Sequence, residues 1–170
     1  DVAACAQAGL MLRHTVQFHW KNAGYRDFDH FLASLGHDKR KKIRQERRKV
    51  LDAGVSFRWS LGRDISPHDW DFFYRCYERT YYEHGNAPYL SRDFFRRMAD
   101  TMPENWLLFV AERGGMPIAT SLIAVSEDPK RATGPSGSQM AGEAGARVAY
   151  GRYWGALERV DCLHFEACYY

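Results

Sequence analysis

Chemically reactive side chains are concentrated in the last part of the chain, Tyr150–Tyr170. His164 and Glu166 open an apolar, helix-like segment, and either side chain could act as a general base. Tyr150 in the preceding strand-like stretch, or Tyr169 near the end, could give a proton to a leaving group. A Glu in a first helical turn is also favoured by the helix dipole alone, so each residue taken singly has an ordinary structural interpretation. As a group, these residue types predict a site for proton transfer.

The strand-like stretch adds candidate substrate contacts. Strict alternation places Val148, Tyr150, Arg152 and Trp154 on one face. Arg152 could hold a carboxylate or a phosphate through two parallel hydrogen bonds. Tyr153 and Trp154 are candidate substrate-binding residues, although Tyr and Trp are also good strand formers in any sheet.

A second notable feature is a run of positive charge, Lys39–Lys49. It contains eight of the chain's 24 Lys and Arg, and the net charge of +3 therefore hides a basic helix in an otherwise slightly acidic chain. Most charge runs are simply solvated surface helices. In this one, however, almost no acidic residue offsets the repulsion between the positive side chains, which favours a binding function for the helix. Helical spacing gathers four candidate phosphate-binding residues on one face, namely Arg40, Arg44, Arg47 and Arg48.

Neither histidines nor cysteines are spaced for a metal. The histidines show no H-x-x-x-H or HExxH spacing, and the four cysteines form no CxxC pair, so no metal site is indicated. We interpret the cysteines as free thiols, mostly buried, in a reducing compartment. No apolar run approaches 18 residues and no signal peptide opens the chain, which argues against a membrane-spanning helix.

Length and patterning predict an α+β protein. With 170 residues and 45% hydrophobic content, the chain can form one domain, or one domain and a piece of another. Its first residues and its closing aromatic pair indicate a fragment of a longer protein. The predicted elements are helix 2–8, strand 10–20, a helix capped by Asp27, the basic helix, strand 55–60, a helix from Ser66 to about His84, a helix capped by Ser91, a hairpin 107–125, a flexible loop 127–146, strand 147–157 and a helix from Leu163.

The two helices after strand 55–60 are expected to supply the core. Helical spacing predicts buried stripes on each, formed by Trp70, Phe73, Tyr74, Tyr77 and Tyr81 on the first and by Phe94, Phe95, Met98 and Met102 on the second. An aromatic stripe of this kind is much more often core than a ligand box.

Four segments carry a resemblance to a known family. They are QFHWKN (Gln17–Asn22), FDHFLASL (Phe28–Leu35), KRKKIRQERRKVLDAGV (Lys39–Val55) and YGRYWGALERVDCLHFEACYY (Tyr150–Tyr170). On these residues the chain resembles the bacterial FemAB-like proteins, which are described as peptidoglycan biosynthesis or recognition proteins and grouped with the GNAT N-acyltransferases. The resemblance implies a GNAT-like fold, with an antiparallel or mixed central sheet flanked by helices. It further implies that the protein has two GNAT-like halves. Residues 1–54 would be the end of the first half together with the basic connector helix, and residues 55–170 would be the second half, truncated at its C-terminus.

The resemblance also implies an activity. Such a protein would transfer an acyl or aminoacyl group to an amine acceptor such as a cell-wall precursor, in the cytoplasm, with acyl-CoA or aminoacyl-tRNA as donor and no metal. The passage Tyr150–Tyr170 would lie beside the donor, and His19 with Trp20 would lie near the cleft between halves as candidate base and substrate contact. The glycine-rich signature Q/R-x-x-G-x-G/A, with which GNAT enzymes bind the pyrophosphate of coenzyme A, is absent from Tyr150–Tyr170. This absence counts against coenzyme A as the donor's carrier. With a tRNA donor, the helix Lys39–Lys49 would contact phosphates.

Two other functions compete with this one. The chain could be a non-catalytic binding module whose basic helix docks on nucleic acid or another anionic partner, since a fold does not determine a function. It could also be inactive by itself, with an exposed sheet edge that favours a homodimer. Loss of activity on changing His164 or Glu166 would separate catalysis from binding, which should depend instead on Arg44, Arg47 and Arg48.

Overall fold

The computed structural model describes residues 2–14, 16, 18–127 and 147–170 of the chain. Backbone contacts divide it into two compact units, Asp1–Leu35 and Gly36–Tyr170. The flexible loop predicted at 127–146 lies outside the described residues, apart from Glu127 at the end of a strand.

The described part of the first unit contains two short helices, α1 (Val2–Gln7) and α2 (Phe28–Ala33). Asp27 caps α2 as expected, because its carboxylate accepts a hydrogen bond of 2.7 Å from the His30 amide. The strand predicted at 10–20 is wrong: no described residue of that stretch is in a strand. Alternation alone is insufficient, since a strand is stabilised by its hydrogen-bonded partner, and this stretch pairs with none of the described residues.

Among its described residues, the second unit contains four helices and four strands, joined in part by short 3₁₀ turns at Gly62–Asp64 and Pro103–Asn105. In chain order they are α3 (His37–Asp52), β1 (Val55–Leu61), α4 (Pro67–Glu83), α5 (Arg92–Thr101), β2 (Trp106–Arg113), β3 (Met116–Glu127), β4 (Arg147–Ala156) and α6 (Leu163–Cys168). Ser66 and Ser91 cap α4 and α5, because their hydroxyl oxygens accept hydrogen bonds from the amides of Asp69 and Phe94, so the predicted starts of both helices are confirmed.

The four strands form one antiparallel sheet in the order β1-β2-β3-β4. The hairpin of β2 and β3 turns at Gly114 and Gly115, both with positive φ (58° and 76°), a conformation that glycine adopts without strain. The α+β prediction is confirmed by this sheet and the helices that flank it. Within the described residues, β1 and β4 each have one edge without a partner strand.

Helices cover both faces of the sheet. On one face, α4 and α5 pack over β2 and β3 through a core that is largely aromatic, including Phe72, Phe73, Tyr77, Phe95, Leu108, Val110 and Leu122. On the other face, α3 and α6 pack through a smaller core of Val50, Val55, Ala111, Ile118, Ala119 and Leu163. The strand β4 therefore lies between two chemically different environments.

Most of the predicted aromatic stripe is buried. Phe73, Tyr74 and Tyr77 lie in the core as expected, while Trp70 and Tyr81 are partly exposed. On α5 only Phe95 is fully buried; the prediction was wrong for Phe94 and Met102, each 40% exposed. Of the predicted apolar side of this ten-residue helix, Phe95 is buried and Met98 is partly buried against the core.

Candidate functional site

A β-bulge in β4 decides where the predicted site residues point. Gly151 lies opposite Ile123 and Tyr153 lies opposite Leu122, so Arg152 is an extra residue with no counterpart in β3. One inserted residue shifts the alternation by one, and every later side chain changes face. The prediction that Tyr150, Arg152 and Trp154 share a face is therefore wrong.

The bulge divides the predicted substrate contacts between the two faces. Tyr153 joins the face of α4 and α5, where its ring lies 5.3 Å from that of Tyr77 and 5.6 Å from that of Phe95. Trp154 joins the face of α3 and α6, where it packs on the second core. Tyr150, on the same face as Tyr153, is 43% exposed near the start of β4.

His164 lies against Trp154 on the α6 side. Its ring centroid is 5.3 Å from that of Trp154, 5.5 Å from that of Tyr169 and 5.8 Å from that of Phe165. This surrounding removes water from one side of the ring and lowers the pKa of His164, so the neutral imidazole prevails at neutral pH. Among the described residues, no group is hydrogen-bonded to either ring nitrogen, and the residue remains exposed. A neutral, accessible imidazole of this kind can accept a proton.

Glu166, the other predicted base, is engaged in an ion pair. Arg47 on α3 donates from Nε to both carboxylate oxygens of Glu166, at 3.0 and 3.1 Å. Beside this pair, the Tyr170 hydroxyl donates a 2.5 Å hydrogen bond to Glu46. Burial and the Glu46 carboxylate raise the pKa of Tyr170. These contacts join α6 to the basic helix, and they leave His164 as the better placed of the two bases.

The basic helix α3 presents two separate groups of charge. Arg47 turns toward Glu166, so it does not share a surface with the other three predicted phosphate contacts. Those three lie along one exposed groove, whose lining residues are His37, Arg40, Lys41, Arg44, Gln45 and Arg48. Among the described residues, no carboxylate pairs with Arg44 or Arg48. This face of α3 is a concentrated positive surface that can bind phosphates.

A tyrosine cluster that sequence reasoning missed lies on the opposite face of β4. Tyr89, in the connection between α4 and α5, contacts Tyr81 at 5.4 Å between ring centroids. Interaction with the hydroxyls of Tyr81 and Tyr153 lowers the pKa of Tyr89, and the nearby charge of Arg152 adds to this effect. The only signal in the sequence was the density of tyrosines near the end of α4, which we interpreted as core.

The predicted residues of the first unit are seen only within that unit. Trp20 belongs to a small aromatic group, with ring centroids 6.3 Å from Tyr25 and 5.8 Å from Phe31. His19 is exposed. Whether these two residues take part in the site of the second unit stays a prediction.

A separate cleft of about 780 Å³ lies between α4 and α5. Trp70, Tyr74 and Phe95 line its apolar wall. Arg92 stands over the Tyr74 ring at 4.2 Å and pairs with Asp71 at 3.2 Å. The cleft contains none of the predicted site residues.

Two further features bear on the chemistry. In the part of the chain that the structure describes, no three His, Cys, Asp or Glu side chains are grouped so that they could hold a metal ion. No described helix has the length and apolar character needed to cross a membrane. The described cysteines are free thiols, as predicted. Only Cys76 among them is fully buried, while Cys162 and Cys168 are partly buried and Cys5 is exposed, so the prediction that most are buried was wrong.

Comparison with known families gives one match. A family model named FemAB-like, described as peptidoglycan biosynthesis/recognition, matches residues 1–170. No curated protein matches the chain.

Proposed function

Because the chain belongs to the FemAB-like family of peptidoglycan biosynthesis and recognition proteins, we propose that it transfers an aminoacyl group to an amine of a cell-wall precursor. The observation that carries this proposal is strand β4, whose outer edge has no partner strand among the described residues and whose Trp154 packs against the His164 ring. Such an edge offers backbone amides that can receive an acyl carbonyl, and His164, packed on the same strand, can receive the proton of the attacking amine. On this proposal the second unit is the GNAT-like half.

The reaction needs few groups from the protein. The acceptor amine attacks the carbonyl carbon of the donor ester, a C–N bond forms, and the C–O bond to the donor breaks. His164 takes the proton that the nitrogen loses, and the departing oxygen takes a proton from a phenol or from water. Trp154 and Tyr169 hold the imidazole in place by ring contacts, which supports positioning as the main contribution to the rate.

The positive face of α3 favours a nucleic-acid donor. Arg44 and Arg48 are one helical turn apart, exposed and without a described carboxylate partner, as contacts to successive phosphates require. The missing glycine-rich signature counts against coenzyme A. We therefore infer an aminoacyl-tRNA donor and a cytoplasmic reaction, with residues 1–54 as the end of a first half.

His164→Gln should lower the rate of transfer at least tenfold, because glutamine cannot accept a proton at neutral pH. The measurement is transfer of a labelled amino acid from charged tRNA to a soluble muropeptide with a free amine. In the unchanged protein the rate should rise with pH through a pKa below the ordinary value of about 6.5 for histidine, since the neutral form is active, and the variant should lack this rise. His68→Gln, an exposed histidine on α4, is the control. Equal rates for the two variants would rule out His164 as the base.

Replacing Arg44 and Arg48 together by Gln should weaken the binding of charged tRNA and make it less sensitive to salt. Loss of two phosphate contacts lowers the slope of log affinity against log salt by roughly 1.4 to 1.8. Filter binding at several salt concentrations measures this slope, with acetyl-CoA tested in parallel by thermal shift. A slope that does not change, together with stabilisation by acetyl-CoA, would contradict the tRNA donor.

One alternative function has its own supporting observation. The same face of α3 could serve a non-catalytic module that binds nucleic acid or another anionic partner. In that case Arg44 and Arg48 would be needed to bind tRNA with or without an attached amino acid. No transfer would occur with any donor. The transfer assay on the unchanged protein therefore separates the two functions directly.

A further inference from the structure

The cleft between α4 and α5 has an apolar wall. It is formed by Trp70 and Tyr74 on α4, by Phe95 on α5 and by Ile65 just before α4. Its volume of about 780 Å³ falls within the range of roughly 300 to 1,000 Å³ that small-molecule sites occupy. Since α4 and α5 cover the face of the sheet opposite to α6, this cleft is separate from His164.

Four of the six charged side chains that line the cleft are already paired with each other. Arg92 lies over the Tyr74 ring, with its guanidinium carbon 4.2 Å from the ring centre, and pairs with Asp71 at 3.2 Å. Arg96 pairs with Asp93 at 2.5 Å. Because these charges offset one another, they form a polar rim that has little preference for the charge of a ligand.

The remaining two charged side chains are Arg63 and Asp100. Both are exposed, and within the part of the chain that the structure describes neither forms an ion pair, with the other or with any third residue. The cleft therefore offers one positive and one negative charge that no protein group neutralises.

These two charges lie at the same end of the cleft. Arg63 belongs to the 3₁₀ turn Gly62–Asp64. A Cβ atom at Gly62 would lie 3.5 Å from the carbonyl oxygen of Pro103, which comes three residues after Asp100. The turn that carries Arg63 thus contacts the chain just beyond the end of α5, where Asp100 lies.

Two opposite charges at one end of an apolar wall match the chemistry of a free α-amino acid. Such a molecule carries an ammonium and a carboxylate group on one carbon, from which its side chain also leaves. A guanidinium binds a carboxylate through two parallel hydrogen bonds, and a carboxylate accepts hydrogen bonds from an ammonium group. A ligand with only one charge would be repelled by Asp100 if it were an anion and by Arg63 if it were a cation.

We propose that this cleft binds a free α-amino acid with a large apolar side chain. Arg63 holds the carboxylate, Asp100 holds the ammonium group, and the side chain packs on Trp70, Tyr74 and Phe95. The inference does not depend on the proposed function, because the cleft contains no residue that the transfer reaction uses.

The test compares L-phenylalanine with ligands that each lack one of its groups. Calorimetric titration of the full chain at neutral pH would measure the binding of L-phenylalanine, of 3-phenylpropanoate, which lacks the ammonium group, and of 2-phenylethylamine, which lacks the carboxylate. Loss of one charge contact on an exposed rim predicts about fivefold weaker binding of each analogue. Glycine, which has both charges and no side chain, should also bind more weakly, because it covers none of the apolar wall.

Two variants assign each charge to its partner. Arg63→Gln should weaken the binding of L-phenylalanine about fivefold without weakening that of 2-phenylethylamine, and Asp100→Asn should do so without weakening that of 3-phenylpropanoate. Arg159→Gln and Asp161→Asn, which change an exposed arginine and an exposed aspartate outside the cleft, should bind all four ligands as the unchanged protein does. Melting temperatures close to that of the unchanged protein are expected for all variants, since each changes an exposed side chain.

Several results would overturn the proposal. These are no binding of L-phenylalanine at millimolar concentration, equal affinity for it and its two analogues, or affinity that is unchanged in both Arg63→Gln and Asp100→Asn. If 3-phenylpropanoate binds as tightly as L-phenylalanine and loses affinity in Arg63→Gln, the cleft is a site for apolar carboxylates and not for amino acids. The comparison of ligands on the unchanged protein decides the matter even if a variant is unstable.

Discussion

Gly155→Ala is expected to destabilise the second unit by about 3 kcal/mol, since overpacking against backbone cannot be relieved by a side-chain movement. A Cβ atom at this position would lie 2.3 Å from the carbonyl oxygen and 2.5 Å from the carbonyl carbon of Cys76. The close approach is part of the contact between α4 and β4, where Thr80 also donates a 3.2 Å hydrogen bond to the Trp154 carbonyl. To admit a methyl group, the helix and the strand must move apart.

The same strand provides a matched control. A Cβ atom at Gly151 would meet no atom within 4 Å, and neither glycine has a positive φ, so Gly151→Ala tests the added methyl group without the collision. For a protein of this size the expected difference in melting temperature is roughly 6 to 12 °C, measured by calorimetry or circular dichroism. Equal melting temperatures for the two variants would contradict the close approach of Gly155 to the Cys76 carbonyl.

Separation of α4 from β4 should also disturb the candidate site. Tyr153 and Trp154 are the residues just before Gly155, and their rings contact Tyr77 and His164 respectively. We therefore expect Gly155→Ala to weaken transfer at temperatures where the variant is still folded.

Asp69→Asn is expected to cost about 2 kcal/mol of stability, because it breaks an ion pair whose carboxylate is buried, although the Arg58 side chain is 38% exposed. Arg58 on β1 donates two hydrogen bonds to the Asp69 carboxylate, at 2.6 and 3.0 Å, and a third of 2.6 Å to Glu112. The side chain of Asp69 is 9% exposed, and its Oδ2 also accepts a hydrogen bond from Ser66. Asparagine has no charge and replaces one acceptor by a donor that would face the guanidinium.

The effect of Asp69 on stability should depend on pH in a defined direction. The hydrogen bonds from Arg58 are the main cause of a lowered pKa in the folded state. A carboxyl whose pKa is lower when folded contributes stability above its unfolded pKa, about 3.9, and loses it as the pH falls through the folded value. Urea unfolding between pH 7 and pH 3 should therefore show a smaller loss of stability in Asp69→Asn than in the unchanged protein. Asp93→Asn is the control, since it changes a surface carboxylate paired with Arg96 and Arg97. At neutral pH its free energy of unfolding should equal that of the unchanged protein.

Local patterns were sufficient to predict most of the elements. Ser66, Ser91 and Asp27 each start a helix because a side-chain oxygen three residues before an amide can accept its hydrogen bond, a relation within one turn. The hairpin at Gly114-Gly115 follows from the same kind of short-range geometry. The error at 10–20 had the opposite cause: a strand depends on a partner that its own residues do not specify.

The α+β class, the basic helix and the family could be predicted from the sequence, because these depend on residue types and short spacings. The positions of the candidate site residues relative to one another depend on the tertiary structure. The bulge at Arg152 arises from pairing with β3 and sends Tyr153 and Trp154 to different faces. The pairing of Glu166 with Arg47, 119 positions apart, and the contacts of the Tyr153 ring with Tyr77 and Phe95 depend on how helices pack against the sheet. Contacts of this kind are set by packing between distant segments, which no local pattern records.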